Sequence, residues 1–301
     1  MKRFSAIKVF ISAILVLFTL ITFALDYVSV ANAMPFYDLK PEDLVLRAEF
    51  STDYGKSSEE RKHNIRLAAK SLNDTLIDVN GEFSFNRRVG ARTEKRGYKT
   101  AKIIVNGEFT EGVGGGVCQV STTLYNAALL AGLKITEAHA HSLAVSYVKP
   151  SFDAMVNAGS ADLRFINKTH NPVVINTFAD GKTLTVRIYG EPMREKYERK
   201  SVVKKEIEPE YSVIKDSARE YPDLFSGERK VIKNGKKGIV SEGYLVKKVN
   251  GKVVSQTLIR RDRYSKTDGV IVEGTTPRAE ENPIISDALK SAIVPVAYFL
   301  F

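Results

Sequence analysis

Two hydrophobic rhythms alternate along the middle of the chain. In "SSEERKHNIRLAAKSLN", Ile65, Ala68, Ala69 and Leu72 recur at three- and four-residue steps, which predicts a helix with one buried stripe. Ser57 and Glu60 match a capping box at its start. "AKIIVNGEFT" reads as a hairpin turned at Asn106-Gly107. "VCQVSTTLYNAALLAG" reads as a second helix, closed by Gly132. A two-residue rhythm then takes over. "SLAVSYV" alternates Leu143, Val145 and Tyr147, and "DLRFIN", "PVVINTF" and "KTLTVRIYG" follow as strands, with a turn at Asp180-Gly181. Residues 45–190 are therefore expected to form a mixed α+β domain of catalytic type, with a short buried helix after a glycine-rich loop.

The flanks read differently. Lys2, Arg3 and Lys8 precede an uncharged stretch from Val9 to Leu25, and Ala31 to Ala33 resemble an A-x-A cleavage site. Residues 1–33 are expected to be a single membrane anchor or a signal segment, with an anchor preferred. Either reading places the rest of the chain outside the cytoplasm. Residues 191–218 are charge-dense and poor in turn signals, and read as a linker or an exposed strand. From 219 to 276, polar and β-branched residues alternate between glycine turns, the pattern of a small all-β C-terminal module. The 277–301 tail ends in "SAIVPVAYFLF", too short to span a membrane.

Charge and cysteine content narrow the function classes. The 301 residues carry a net charge of +10, with an isoelectric point near 9.4. Such a surface gathers polyanions. An exported chain does not meet nucleic acid, which leaves the membrane surface and anionic wall polymer as partners. One cysteine excludes an internal disulfide and any cysteine-cluster metal site.

That cysteine, Cys118, stands at the predicted start of the second helix, behind Gly114, Gly115 and Gly116. A helix N-terminus favours the thiolate, and glycine amides can receive an oxyanion. A nucleophile of this kind needs a base. His139 and His141 flank Ala140, so an extended backbone points both to one side, where one could face Cys118. His63 and His170 read as solvated. Asp153 and Asp162 are the nearest downstream carboxylates for orienting a base, and spacing singles out neither. A metal held by His139, His141 and an aspartate is a weaker alternative, and no metal or other cofactor is expected. No lysine followed by serine or threonine completes a phosphate loop.

"GEFSFNRRVGARTEKRGYKTAKIIVNGEFTEGVGGGVCQVSTTLYNAALLAGLKI", followed by "HAHSLAVSYV" and "DAMV", resembles the VanW domain family from about residue 48 to 180. The resemblance implies work on the cell wall and a link to glycopeptide resistance. It implies an L,D-transpeptidase-like reaction on peptidoglycan stem peptides, through a thioester on Cys118. It makes His141 the base and Asp153 the orienting or substrate-contacting group. Gly115 and Gly116 would shape an oxyanion site, and Gln119, Ser142, His139 and Arg92 would line the substrate. The chain departs from the family's usual proline at Ala144 and from its usual glycine-arginine at Ser151-Phe152. In the C-terminal module, Gly227, Gly235, Gly238, Gly251 and the Gly274-Thr275 pair resemble a five-glycine domain, which implies adhesion to wall glycan. A wall-binding protein without catalysis, a carboxypeptidase and a metal-dependent amidase remain as alternatives.

Overall fold

The first strand, β1 (Val45–Asp53), pairs antiparallel with β9 (Thr183–Gly190) from Val45↔Gly190 to Asp53↔Thr183. Beyond β9 come β8 (Val173–Ala179) and β2 (Thr75–Ile77), giving a sheet of order β1-β9-β8-β2. Strand β9 shows why this sheet has a dry face. Leu184, Val186 and Ile188 alternate with Thr183, Thr185 and Arg187, and the three apolar residues are fully buried. Two helices cover that face. The computed structural model describes residues 44–105 and 107–278, and from Val45 onward they form one compact unit.

Helix α1 (Glu59–Leu72) buries the predicted stripe of Ile65, Ala68, Ala69 and Leu72. Its cap is Ser58 rather than Ser57. Ser58 is extended (φ −61°, ψ 159°), and its hydroxyl accepts the Arg61 N–H at 3.3 Å. The Ser57 hydroxyl instead accepts from the Arg61 guanidinium at 2.8 Å. A short helix α2 (Phe85–Val89) and a 3₁₀ turn (Glu94–Arg96) lead to the hairpin of β4 (Thr100–Val105) and β5 (Glu108–Val113), with Gly107 at φ +82° in its turn. Helix α3 (Val117–Leu130) is buried on nearly every side, its apolar residues in the core and its polar side chains hydrogen-bonded. It ends at Gly132, whose φ of +75° lets the Leu133 N–H turn back to the Ala128 carbonyl at 3.0 Å.

A second sheet orders β3 (Glu82–Ser84), β7 (Arg164–Ile166) and β6 (Lys134–Glu137) as β3-β7-β6. The strand expected over "SLAVSYV" is not formed. Residues 138–163 carry isolated bridges only, among them His139↔Met155. Here the alternation serves to pack a loop. Leu143 is buried, while Val145 and Tyr147 are half-buried.

The span expected as a linker or exposed strand is largely strand: β10 (Glu195–Ile207) and β11 (Tyr211–Lys215) occupy most of residues 191–218. β10 pairs with β13 (Gly238–Val249) from Glu195↔Val249 to Ile207↔Gly238. β13 and β14 (Lys252–Tyr264) form a hairpin whose tip, Asn250-Gly251, has positive φ at both residues (+49° and +77°). A second three-stranded sheet runs β11-β15-β12, with β12 spanning Arg229–Lys233 and β15 Gly269–Glu273. The described chain is thus mostly β with few helices, and its C-terminal part is a β module. The 1–33 segment and nearly all of the 277–301 tail lie outside the described residues. Among the described residues, no helix is long and apolar enough to cross a membrane.

Candidate active site

The glycine loop and α3 place Cys118. Gly116, at φ +107°, is the last residue before the helix, and Cys118 is the helix's second residue. Gly114 and Gly116 line an open cleft of about 900 Å³ together with Cys118. Gly115 does not line it. It is buried, and a β-carbon there would lie 2.7 Å from the Ala101 and Lys102 carbonyl oxygens. Gly115 is therefore required by its contact with β4, which leaves no room for a side chain. Within the first turn, the N–H groups of Val117 and Gln119 are taken by the carbonyls of Gly114 and Gly116.

The polar face of α3 positions the segment that carries Asp153. Asn126 donates to the Phe152 carbonyl at 2.7 Å, Ser121 donates to the Ala154 carbonyl at 2.6 Å, and the Ala154 N–H donates to Thr122 at 2.9 Å. Each buried hydroxyl or amide here has a partner, and together they fix the backbone on both sides of the carboxylate. Asp153 Oδ2 accepts from the His141 backbone N–H and from His141 Nδ1, both at 2.7 Å. Cys118 and His141 border the same cleft and shift each other's titration. A hydrogen-bonded carboxylate and imidazole thus stand beside a thiol. Cys118 is half-buried and lines the cleft, and its neutral thiol donates to the Val156 carbonyl at 3.4 Å.

The electrostatics follow from this line. Burial opposes ionisation of Cys118, but the His141 hydrogen bond and charge outweigh it and lower the thiol pKa. Burial likewise disfavours imidazolium at His141. The bonds to Asp153 and Cys118 overcome it and push that pKa up to about 9. Asp153, though buried, is held below its ordinary value by His141, Arg260 and Tyr264. Both shifts move the pair toward thiolate and imidazolium.

The other expected residues fall in several places. Arg92 lines the cleft, bonds Asn86 at 2.8 Å and Gly90, and helps lower the Cys118 pKa. Gln119 also borders the cleft, but its amide is spent internally, on Arg61 at 2.9 Å, Thr52 at 3.0 Å and the Asp53 carbonyl at 2.8 Å. His139 does not share the side of His141. It bonds Glu137 at 2.9 Å, because the backbone between the two histidines is not a continuous strand. Ser142 is exposed and borders a separate, smaller depression, and its carbonyl accepts from the Ser265 N–H. Asp162 is bound to Ser84, Asn86 and Arg164, away from the thiol. Among the described residues, no cluster of three metal-ligating side chains forms.

Three further residues carry no mark in the sequence. Tyr147, whose pKa is raised chiefly by burial, lines the cleft. Arg61 of α1 points its guanidinium there, bonded to the neutral oxygens of Ser57 and Gln119. Tyr264, from the C-terminal module, donates its hydroxyl to Asp153 Oδ1 at 2.6 Å.

Residues 60–189 match the family described as VanW like protein, and residues 198–276 match the G5 domain. The chain carries a VanW-like domain followed by a G5 domain. Among curated proteins, YoaR of Bacillus subtilis is 44% identical over 141 residues, which cover 47% of this chain and 46% of YoaR. The vancomycin B-type resistance protein VanW of Enterococcus faecalis is 33% identical over 117 residues, covering 37% of this chain and 42% of that protein. The matches thus span less than half the length of either relative. Among solved structures, the G5 domain of an IgA1 protease is similar at 21% identity over 27% of this chain and 90% of that one, with a TM-score of 0.19.

Proposed function

We propose that this is a cell-wall associated, extracytoplasmic cysteine acyltransferase, with L,D-transpeptidase-like chemistry on peptidoglycan stem peptides. The observation that carries the reading is the line Asp153–His141–Cys118 opening on a cleft. The two domain types and the VanW relative support the cell-wall setting.

In this reading the Cys118 thiolate attacks the carbonyl carbon at the third stem residue. The tetrahedral oxyanion is received at the start of α3, where the helix dipole favours negative charge. The carbon–nitrogen bond to the terminal D-amino acid breaks, and His141 gives its proton to the departing amine. A thioester remains on Cys118. The side-chain amine of a second stem attacks it, loses a proton to His141 and forms the new amide, and the thiolate is restored. Asp153 keeps Nδ1 of His141 protonated throughout, so that the other nitrogen faces the chemistry. Arg61, with neutral partners of its own, receives the carboxylate of the donor stem. The G5 domain holds the protein to wall glycan or anionic polymer, and the N-terminal segment tethers it to the membrane.

The test is incubation of the protein with disaccharide tetrapeptide, followed by mass spectrometry. The expected product is a cross-linked dimer lacking one terminal D-alanine, absent with Cys118→Ala. Tripeptide without dimer would point to hydrolysis. Unchanged tetrapeptide, from folded protein that still sediments with wall sacculi, would sink the transferase reading and leave a wall-binding protein.

A further inference from the structure

We propose that the C-terminal module is part of the reaction site: Tyr264 and Arg260 on β14 are positioning residues that fix the Asp153 carboxylate on which His141 depends. The inference rests on the cysteine–histidine reading above and adds a second part of the chain to it.

The two oxygens of Asp153 are divided. Oδ2 is given wholly to His141, through its backbone N–H and Nδ1. Oδ1 belongs to the module: the Tyr264 hydroxyl donates to it at 2.6 Å and Arg260 Nη2 at 3.2 Å. Arg260 Nη1 also donates to the Asp153 main-chain carbonyl at 2.5 Å. Arg260 is itself held by Asp262, at 3.0 Å from Nε and 2.9 Å from Nη2. Asp153 is 1% exposed and Tyr264 is 1% exposed, so water does not substitute for these donors.

The same strands fix the backbone just ahead of Asp153. Ser151 sits at φ +66°, in the left-handed region that favours glycine. Its N–H donates to the Tyr264 hydroxyl at 2.7 Å, and its hydroxyl meets that of Ser241 at 2.7 Å. Gly243 lies against it, where a β-carbon would come within 2.9 Å of the Ser151 carbonyl oxygen. An ordinary docking surface would touch the domain anywhere. This one closes on the carboxylate and on the turn that presents it. A carboxylate held at one oxygen can rotate about its bond to the β-carbon. Held at both, it keeps Oδ2 in the plane of the imidazole.

The test reads the thiol rather than turnover. The full chain is alkylated with iodoacetamide across a pH series, and the midpoint of the Cys118 rate is compared between wild type and Tyr264→Phe, which removes one oxygen and keeps the ring. The groups facing the relay are Arg61, Arg92, Tyr125, Tyr147, Arg260 and Asp262, and this substitution leaves them all in place. The midpoint is expected to rise by about one pH unit, with about a tenfold slower reaction at pH values below both midpoints. In an Asp153→Asn background the same substitution should have no further effect. Arg260→Lys keeps the charge but loses the fork, and should move the midpoint the same way by less. A lower melting temperature with an unmoved midpoint would overturn the proposal and reduce the module to a support. A moved midpoint in a protein that transfers nothing would instead sink the transferase reading and leave this inference standing.

Discussion

The VanW-like domain and the G5 domain are stabilised in opposite ways. Every fully buried member of the main hydrophobic cluster lies between Ala48 and Ile188. The module has few buried apolar residues, Val246, Tyr264 and Val272, and two of its strands, β11 and β12, are exposed along their whole length. It is held by long antiparallel ladders and by contact with its neighbour. Leu245 and Ile259 pack on the domain's core, and the Arg199 guanidinium lies 4.2 Å from the centre of the Phe50 ring. One region therefore supplies a core, and the other leans on it. The cysteine–histidine pair sits on the first, and the second reaches its neighbour Asp153 and the cleft.

The largest effect should fall on the relay itself. His141→Gln removes the proposed base, and its positive charge, from beside Cys118. It is expected to slow alkylation or acyl transfer by about 10²–10⁴-fold with the fold intact, as read by single-turnover assays. Next comes the core. Leu124→Ala in α3 empties a site with no exposure and should cost about 2–5 kcal/mol in a urea titration. If it costs no more than substitutions on the exposed strands of the module, the contrast between the two regions is wrong. Third is the seam. Gly243→Ala places a methyl group against the Ser151 backbone and should cost about 1–3 kcal/mol while leaving the ladders paired, as amide exchange would report.

A smaller effect concerns pH. His141 is raised to about 9, so by itself it lends stability that is complete below 6.5 and lost as pH rises through about 9. Cys118 is lowered, so by itself it lends stability present above 9.0 and lost as pH falls through its depressed value. Between the depressed thiol value and 9 the two slopes oppose each other. The pair should therefore add less pH dependence there than the histidine alone. Cys118→Ala removes the opposing slope, and the variant should lose stability relative to wild type as pH rises toward 9. A parallel pair of curves would show that thiol and imidazole do not share a proton. The smallest effect belongs to the module's surface. Lys237→Ala breaks two exposed ion pairs and should leave the unfolding midpoint unmoved at physiological salt.

What could be read in advance follows the range of the forces involved. The two long helices and strands β8 and β9 announce themselves through periods of 3.6 and 2, which any short window contains. The same rule failed at Leu143, Val145 and Tyr147, where α3 and the Asp153 carboxylate organise a loop with a strand-like pattern. It also left β10 ambiguous, because a strand charged on both faces has no apolar alternation to show. At the site, the cysteine, its helix and His141 stood out by residue type. The choice between Asp153 and Asp162 did not, since it depends on which carboxylate α3 holds beside the imidazole. Tyr264 and Arg260 left no trace at all. Their partner is more than a hundred positions away, and nothing local marks either residue.

That separation also sets an order in time. A chain is made from its N-terminus, and Asp153 is synthesised 107 residues before Arg260 and 111 before Tyr264. The VanW-like domain has its whole core by Ile188, so it can collapse while the rest is still being made. Its thiol and imidazole then meet around a carboxylate with one oxygen still unclaimed. The last strands to emerge close that gap, and the relay is complete only once β14 has been threaded out and folded back.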